Sequence, residues 1–321
     1  MAANAEAMLL VITGSHDSTI DYLLQFLDSD RVFRLNTDLL LDYELIFDDS
    51  GFVITDPAGR GVTSDDVYKA FWRWPEWPLG KTTRERYTQG ELRYLLREIA
   101  NLLWSQDKFV LVEPTAPRRS GKLLQLTRAR EFFNVPPFRA VLNSPPVTTG
   151  PEVIKSLAKE LPEGQNIFST RVDPSALALR YPWFMQQYVD AVADVTVLVI
   201  RHRLFAFELE RDFLKTSIDW REIPGKCSAW KPMELQETTR DAIHRYMESI
   251  LLGFGRLDFL RDHNGDLQFC EVNPNPQFAW LGLDDTSGIR SAILEEISPL
   301  TKRHAIPSRH PLARSREATL R

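Results

Sequence analysis

Apolar and polar residues alternate along two runs in the last third of the chain, Arg256–Leu260 and Leu267–Asn273. Between them stand Asn264 and Gly265, and Asn-Gly between alternating hydrophobic residues is a strong signal for a β-hairpin. We therefore predict a tight antiparallel hairpin with a two-residue type I′ turn at this pair. Because successive side chains of a strand point to opposite faces, one face of the hairpin should be polar and the other apolar.

The polar face of this hairpin carries the main chemical signal. The predicted turn places Asp258 opposite Glu271 and Arg256 opposite Asn273. Two carboxylates in such positions repel each other, whereas Mg²⁺ binds carboxylate and amide oxygens and usually substrate phosphates as well. Asp258, Glu271 and Asn273 are therefore candidate Mg²⁺ ligands. The alternative is that both carboxylates point into solvent beside Arg256, and a one-residue slip in the turn would separate them.

The apolar face is predicted to pair Leu257 with Val272 and Phe259 with Cys270, and to be buried in a core. Cys227 and Cys270 are the two cysteines of the chain, which is too few for a disulfide framework. We expect both to be reduced and the protein to be intracellular, in the cytoplasm.

The first third of the chain has the pattern of a small α/β domain. Met8–Thr13 and Arg31–Asn36 are predicted strands, and the helix between them continues to about Leu27. No Gly-x-Gly-x-x-Gly motif occurs here, so we expect no dinucleotide site. The segment Ala70–Pro78 is rich in Trp and Pro, which favours a core wall or domain interface over a ligand stack. Further predicted elements are a hairpin over Glu44–Phe47 and Phe52–Asp56, a helix over Arg84–Trp104 and a strand over Phe109–Val112.

A domain boundary is expected near Pro114–Pro117. A helix over Leu123–Phe133 should follow, with Ser120 as its N-cap. Lys122 lies close to the start of this helix, where an anion is favoured, so it could bind a phosphate or belong to a solvated basic cluster. The later predicted elements are a strand over Arg139–Leu142, a helix over Pro151–Leu161, strands over Gln165–Val172, Trp183–Val189, Val195–Ile200 and Leu204–Glu208, helices over Glu237–Leu252 and Gly288–Ile297, and a mobile tail from Lys302.

Composition narrows the possible functions. The chain has 321 residues, of which 43% are hydrophobic and 26% are charged, as in ordinary globular proteins. Its formal charge of −5 and pI near 5.8 argue against nonspecific nucleic-acid binding as the main activity. No stretch of the sequence is apolar for long enough to predict a membrane span.

Short motifs follow one another in the second part of the chain. They are Lys122-Leu-Leu-Gln-Leu, Met185-Gln-Gln-Tyr-Val189, Ile218-Asp-Trp-Arg221, Leu257-Asp-Phe259 and Glu271-Val-Asn-Pro274. In this order they resemble the ATP-grasp superfamily and, more narrowly, the microviridin-type peptide ligases, also called graspetide synthetases. The resemblance implies an α+β ATP-grasp fold, in which two α/β lobes enclose a nucleotide, after an N-terminal α/β domain. It implies boundaries at 1–115, 116–190 and 191–301, followed by the tail 302–321.

The resemblance also implies roles for particular residues. Asp258, Glu271 and Asn273 match Mg²⁺ ligands of the family, and Asp194 matches a carboxylate that binds the ribose hydroxyls. The remaining matches are an adenine-binding hinge at Gln187, Tyr188 and Val189, a phosphate-contacting lysine at Lys122, and two arginines that could steady an acyl phosphate, Arg221 and Arg256. The implied cofactors are ATP and Mg²⁺.

The implied activity is an ATP-dependent ligase. It would phosphorylate a carboxylate of a ribosomal precursor peptide with a leader and a core, and a hydroxyl or amine would then form an ester or amide crosslink. Homodimers occur in the family and are possible here. Two other functions stay open, a degenerate ATP-grasp protein that binds a peptide or partner without catalysis, and a ligase for a small amino acid or dipeptide.

Two departures from the family pattern favour weaker nucleotide binding. A strand that normally carries a second phosphate-binding lysine looks deleted, because only Pro162–Gln165 joins the predicted helix over Pro151–Leu161 to the strand that follows. Lys155 and Lys159 fall on that predicted helix. Thr196 stands two residues beyond Asp194, where the family usually has arginine. Fewer cations around a triphosphate should weaken its binding or slow phosphoryl transfer.

Overall fold

The computed structural model describes residues 7–77, 80–116, 120–143, 150–157, 169–172, 180–212, 218–223, 229–281 and 286–298. Three expectations from the sequence concern residues outside these ranges, namely the reduced state of Cys227, the position of Lys159 and the mobile tail from Lys302. Within the described ranges, helices and four sheets build the expected α+β fold.

The N-terminal part contains two three-stranded sheets. Its strands are β1 (Met8–Thr13), β2 (Val32–Asn36), β3 (Glu44–Asp48), β4 (Gly51–Thr55), β5 (Gly61–Thr63) and β6 (Val67–Trp72). β1 lies between β2 and β6 in a parallel sheet, and all six of its residues are buried. β3, β4 and β5 pair in antiparallel order. The predicted α/β opening and the following hairpin are both confirmed.

Two helices pack on these sheets. α1 (Ser18–Leu24) is capped by the carboxylate of Asp17, which accepts two backbone N–H groups of its first turn. α2 (Thr83–Ser105) begins with a capping box, in which Thr82 and Glu85 each bind the other's backbone N–H. Both helices lie where the apolar spacing predicts them.

The apolar run after α2 does not form the predicted strand. Phe109 makes an isolated bridge with Ala70, and Leu111 has a φ angle of 60°, which an extended strand does not accommodate. The run is nevertheless buried, so its hydrophobic pattern identified core residues but not their backbone conformation. Trp72 and Trp77 also pack against this core, as expected for a core wall.

A four-stranded antiparallel sheet forms the middle of the chain. Its strands are β7 (Phe138–Val141), β8 (Glu152–Lys155), β9 (Thr170–Val172) and β10 (Trp183–Gln187), in the order β7-β10-β8-β9. The helix predicted over Pro151–Leu161 is wrong, because residues 152–155 form β8. Residues 158–161 lie outside the described residues. The β-branched pair Val153 and Ile154 is paired with β10, a partner that local spacing does not reveal.

Helix α3 (Lys122–Ala129) precedes this sheet and is shorter than predicted. Gly121 occupies the N-cap position and has no side chain to cap the helix. Ser120, the predicted cap, instead donates its hydroxyl hydrogen bond to the carbonyl of Ala116 at 3.1 Å. The start of α3 therefore keeps N–H groups that Ser120 does not occupy.

A five-stranded antiparallel sheet forms the C-terminal part. Its strands are β11 (Ala191–Ile200), β12 (Arg203–Glu210), β13 (Lys231–Pro232), β14 (Phe254–Asp262) and β15 (Leu267–Asn273). Their order is β13-β12-β11-β14-β15, so β15 is an edge strand. Two helices accompany the sheet, α4 (Glu237–Ser249) and α5 (Ile289–Ile297). No helix in the described part of the chain is long and apolar enough to span a membrane.

One hydrophobic core joins the two ends of the chain. Leu9 and Val11 of β1 share it with Leu198 and Ile200 of β11, and α5 contributes Ile293. A second core lies under α3, α4 and the hairpin β14–β15. The N-terminal sheet is therefore packed directly against the sheet that carries the hairpin.

A buried arginine reinforces this junction. Arg73 follows β6, its side chain is 0% exposed, and its Nε lies 3.4 Å from Oδ2 of Asp17. Its Nη1 donates to Oδ1 of Asn275 at 2.6 Å and to the carbonyl of Pro276 at 2.8 Å. Because Asn275 stands two residues beyond β15, Arg73 connects the N-terminal parallel sheet to the segment that follows the hairpin.

Replacing Arg73 with methionine tests this connection. The change keeps most of the side-chain volume but leaves the buried carboxylate of Asp17 without its cation. We expect the free energy of unfolding in urea to fall by about 3–5 kcal/mol. The control Arg203→Met removes the exposed pair with Glu295 and should cost about 0–1 kcal/mol. Equal losses in the two variants would contradict a special role of Arg73.

Candidate functional site

A pocket lies where the four-stranded sheet faces the polar side of the hairpin β14–β15. The residues singled out from the sequence are concentrated there. Nine of the ten line it, namely Lys122, Gln187, Tyr188, Val189, Asp194, Arg221, Arg256, Asp258 and Glu271. The tenth, Asn273, stands two residues beyond Glu271 on β15. Segments far apart in sequence thus meet in one place.

The polar face of the hairpin has the predicted register. Asp258 lies opposite Glu271, and Arg256 lies opposite Asn273. The turn, however, is not the predicted two-residue type. Gly265, with a φ angle of 87°, donates to the carbonyl of Asp262 at 3.0 Å. Asp262 donates its own N–H to the carbonyl of Asp266, so the loop enclosed by this last pair has three residues, His263, Asn264 and Gly265.

A β-bulge corrects the register that this loop would otherwise shift. Phe259 pairs with Phe269 rather than with Cys270, and the register changes by one between Asp258 and Phe259. Cys270 is therefore the extra residue of the bulge. It borders the pocket, so its predicted place on the apolar face is wrong. Burial raises the pKa of its thiol to about 11, which keeps it in the unreactive thiol form.

The carboxylate of Asp258 is held on two sides. Arg256 donates from Nε to Oδ1 at 3.1 Å and from Nη2 to Oδ2 at 3.0 Å. Thr196, on the neighbouring strand β11, donates its hydroxyl hydrogen bond to Oδ1 at 2.7 Å. The arginine thus offsets part of the negative charge, while the carboxylate still lines the pocket.

Glu271 is ionised because cations surround it. Burial alone would raise its pKa, but Lys122, Lys155, Arg256 and Arg221 together lower the pKa of this carboxyl below its usual range. The Nζ of Lys122 is 3.8 Å from Oε2 of Glu271. Burial in turn lowers the pKa of Lys122, and the charge of Glu271 opposes that effect. Four cations of the pocket therefore act on Glu271.

Lys155 corrects the expectation of a deleted lysine strand. It is the last residue of β8, which lies between β10 and β9, and its Nζ donates to Oε1 of Gln186 at 2.8 Å. Lys122 is fixed nearby by a 2.6 Å hydrogen bond to the carbonyl of Ser156. Both ammonium groups border the same pocket. The signal that could have identified β8 is its β-branched pair, Val153 and Ile154.

The residues present fit a Mg²⁺ ion that enters with phosphates. Two carboxylates and the amide of Asn273 supply hard oxygen ligands, as Mg²⁺ requires. Oδ1 of Asn273 accepts a hydrogen bond from the N–H of Asn275 at 3.1 Å, which fixes the orientation of the amide. Among the described residues, no group of three or more His, Cys, Asp or Glu side chains could hold a metal. Such a donor set suits a metal shared with a ligand rather than one held by protein alone.

The predicted hinge connects β10 to β11. The N–H of Gln187 donates to the carbonyl of Pro137 at 2.8 Å, and that of Tyr188 to the carbonyl of Pro151 at 2.9 Å. The guanidinium of Arg171 lies over the ring of Tyr188, 4.1 Å from its centroid. Hydrogen bonds from this segment to a base would therefore have to come from its other backbone groups.

Asp194 stands at the same end of the pocket on β11. Its Oδ2 lies 3.0 Å from Nε of Arg211, an arginine to which the sequence gave no role. Burial raises the pKa of the Asp194 carboxyl to about 6, with further increases from Asp219 and Asp258, while Arg211 opposes them. At neutral pH the group is ionised and can accept hydrogen bonds from hydroxyl groups.

Arg221 is oriented by its own segment. Asp219 accepts from Nε of Arg221 at 2.8 Å and from Nη2 at 2.5 Å, and it also receives the backbone N–H of Ser169 at 3.2 Å. Arg221 lowers the pKa of Asp219 against the effect of burial, and Asp219 in return raises the pKa of Arg221. Asp219 belongs to the Ile218–Arg221 motif, but the sequence did not indicate this positioning contact.

Three tryptophans border the pocket beside these arginines. The ring centroids of Trp220, Trp230 and Trp280 are 5.4–5.6 Å apart. The guanidinium of Arg256 lies 5.6 Å from the ring centroid of Trp280. This wall places cationic and aromatic groups together, which suits a ligand with both anionic and apolar parts.

Helix α3 holds the outer edge of β15. Gln125 is buried, and its Oε1 accepts the N–H of Val272, which lies between Glu271 and Asn273. The hydroxyl of Tyr246 on α4 donates to the carbonyl of Gln125 at 3.2 Å. The edge strand that carries two candidate metal ligands is therefore anchored by a neighbouring helix.

No family model and no curated protein matches the chain. Its fold is that of the ATP-grasp ligases, as solved structures show. A RiPP-associated ATP-grasp ligase of Chryseobacterium gregarium, solved with ADP and a leader and core peptide, matches with a TM-score of 0.75 and 22% identity over 91% of this chain and 96% of its own. The macrocyclase MdnC of Microcystis aeruginosa MRC, bound with precursor peptide MdnA, matches with a TM-score of 0.75 and 20% identity over 90% and 99%.

A more distant match is the D-alanine–D-alanine ligase of Bacillus anthracis complexed with ATP. Its TM-score is 0.55 at 14% identity, over 91% of this chain and 95% of its own. These likenesses confirm the predicted ATP-grasp fold along nearly the whole chain.

Gln125 allows a test of how the edge of β15 is held. Gln125→Leu leaves the buried N–H of Val272 without its acceptor, so we expect unfolding to become easier by about 1–3 kcal/mol. Hydrogen exchange at Val272 should also become faster. Thr127→Ala on the exposed face of the same helix is the control, with an expected change within about 0.5 kcal/mol. Exchange at Val272 that is the same in both variants would rule out the anchor.

Proposed function

We propose that this protein is an ATP-dependent, ADP-forming ligase that makes ester or amide crosslinks in a ribosomal precursor peptide. The observation that carries the proposal is the opposed pair Asp258 and Glu271, which shares one pocket with five cations and a hinge segment. The ATP-grasp fold supports the interpretation of this pocket as a nucleotide-binding site. The reaction uses ATP, which agrees with the cytoplasmic location expected from the sequence.

The pocket offers a complementary group for each part of a nucleotide. The base would lie against Gln187–Val189, and the ribose hydroxyls would donate to Asp194. Lys122 and Lys155 would contact the phosphates. Asp258, Glu271 and Asn273 would hold Mg²⁺, which neutralises charge on the transferred phosphoryl group when bound.

Arg221 and Arg256 are proposed to act on the peptide side of the reaction. A peptide carboxylate oxygen attacks the γ-phosphorus, the bond from that phosphorus to the β–γ bridging oxygen breaks, and ADP leaves. A hydroxyl or amine of the peptide then attacks the carbonyl carbon, loses its proton and expels phosphate. Both guanidiniums border the pocket and can bind the carboxylate and the acyl phosphate in turn.

A peptide substrate agrees best with the structural likenesses. The two structures that match with a TM-score of 0.75 contain bound peptides, whereas the D-alanine–D-alanine ligase matches with a TM-score of 0.55. The case for a degenerate, non-catalytic protein depended on a missing lysine strand. Because β8 brings Lys155 into the pocket, the observation that favoured a non-catalytic protein no longer holds.

Nucleotide binding can be tested directly by calorimetry. Wild-type protein should bind ATP in a Mg²⁺-dependent manner, and the double variant Asp258→Asn with Glu271→Gln should lose that dependence. Lys155→Met should weaken ATP binding by about ten- to a hundredfold, because a charge-assisted contact to phosphate is removed. Lys231→Met, which changes an exposed lysine at 3.7 Å from Glu210, is the matched control. Wild-type protein that binds no nucleotide would refute the proposal.

Turnover is tested with a peptide that has a leader and a core, encoded beside the gene of this chain. Incubation with Mg²⁺ and ATP should give a product lighter by one water for each bond formed. Arg221→Met should lower the rate while largely preserving ATP binding, since this side chain acts on the peptide side. A cognate peptide that keeps its mass while the protein binds ATP would contradict the ligase activity.

A further inference from the structure

Arg211 lies directly after β12, at the border of the pocket. Its N–H donates to the carbonyl of Val192 at 2.9 Å, so it is aligned with Val192 on the adjacent strand. Asp194 is two residues further along that strand and points to the same side. Arg211 and Asp194 are thus diagonal neighbours on paired strands, and Nε of Arg211 lies 3.0 Å from Oδ2 of Asp194. The two side chains are 5% and 15% exposed.

The other arm of the same guanidinium reaches a different segment. Nη2 of Arg211 donates to the carbonyl of Ile218. The next residue, Asp219, holds Arg221 through two hydrogen bonds and caps its backbone N–H at 3.1 Å. Arg211 therefore contacts both Asp194, the candidate acceptor for the ribose hydroxyls, and the segment that carries Arg221, the arginine proposed to act on the peptide.

The surroundings of Asp194 explain why it needs a cation. Besides Arg211, the charged groups that act on it are the carboxylates of Asp219 and Asp258, which oppose its ionisation, as burial does. Thr196, on the same face of β11, donates to Asp258 instead and supplies no charge. Among the residues that the structure describes, Arg211 is the cation paired with Asp194.

We propose that Arg211 is a positioning residue that holds Asp194 as the acceptor for the ribose hydroxyls and, through Ile218, sets the place of Arg221. This inference rests on the proposed function and deepens it. The fork of the guanidinium is essential, because one planar group binds two partners at once. Lysine can offer its charge to Asp194 but not both contacts in this geometry.

The test compares the affinities of ATP and 2′,3′-dideoxy-ATP, which lacks both ribose hydroxyls. Wild-type protein should prefer ATP by about ten- to a hundredfold, as expected for hydroxyl groups bound to a carboxylate. Asp194→Asn gives the preference for ATP over the dideoxy nucleotide when that acceptor is absent. The preference of Arg211→Met should fall to the same value. Arg261→Met, which removes another ion-paired arginine of the same sheet, with Glu208 at 2.7 Å, should keep the wild-type ratio.

Arg211→Lys separates the two contacts and covers the case in which Arg211→Met does not fold. We expect it to keep most of the ATP preference, because a cation remains beside Asp194, but to lower the rate of peptide modification about tenfold or more, since the contact to Ile218 is lost. A purely structural role of Arg211 would lower stability and leave the nucleotide ratio unchanged in both Arg211 variants.

Three results would overturn the inference. The first is a folded Arg211→Met protein that keeps the wild-type ratio, including one that binds both nucleotides more weakly by the same factor, as a direct phosphate contact would. The second is an Arg211→Lys protein with wild-type turnover. The third is wild-type protein that binds neither nucleotide. That result would overturn the proposed function as well, whereas the first two results overturn the inference about Arg211 alone.

Discussion

Asp258 and Glu271 face each other on neighbouring antiparallel strands, where two like charges destabilise the fold unless they are offset. The site is built around that constraint. Arg256 binds one carboxylate, and Lys122 and Lys155 lower the pKa of the other. These three cations outnumber the two carboxylates. An anionic ligand that brings its own metal therefore satisfies both sets of charges at once.

The register that opposes the two acids depends on two offsets that cancel. The three-residue loop shifts the strands by one position, and the bulge at Cys270 shifts them back. Alternation in the sequence was enough to identify both strands and the polar face. It could not identify the loop type, because the carboxylate of Asp262 stabilises the longer loop by accepting the N–H groups of Asn264 and Asp266. The predicted pairing of the acids was thus right although the predicted turn was wrong.

The rest of the site shows where local sequence stops being informative. The short motifs contain seven of the nine predicted residues that line the pocket, since each motif keeps its own chemistry on a short segment. Lys155 was misplaced because β8 exists through its pairing with β10, and no spacing within Pro151–Leu161 encodes that partner. Arg211 was missed for a similar reason. Its contacts with Asp194 and Ile218 join separate segments of the chain rather than residues of one motif.

An edge strand is ordinarily free to shift, yet β15 is held at several points along its length. β14 pairs with it, Gln125 of α3 binds the N–H of Val272, and Asn275 just beyond its end is bound by Arg73, which follows β6. Anchored in this way, Glu271 cannot move away from Asp258 to relieve their repulsion. The relief has to come from charges in the pocket, so the anchors of β15 create the need that Lys122, Lys155 and Arg256 meet.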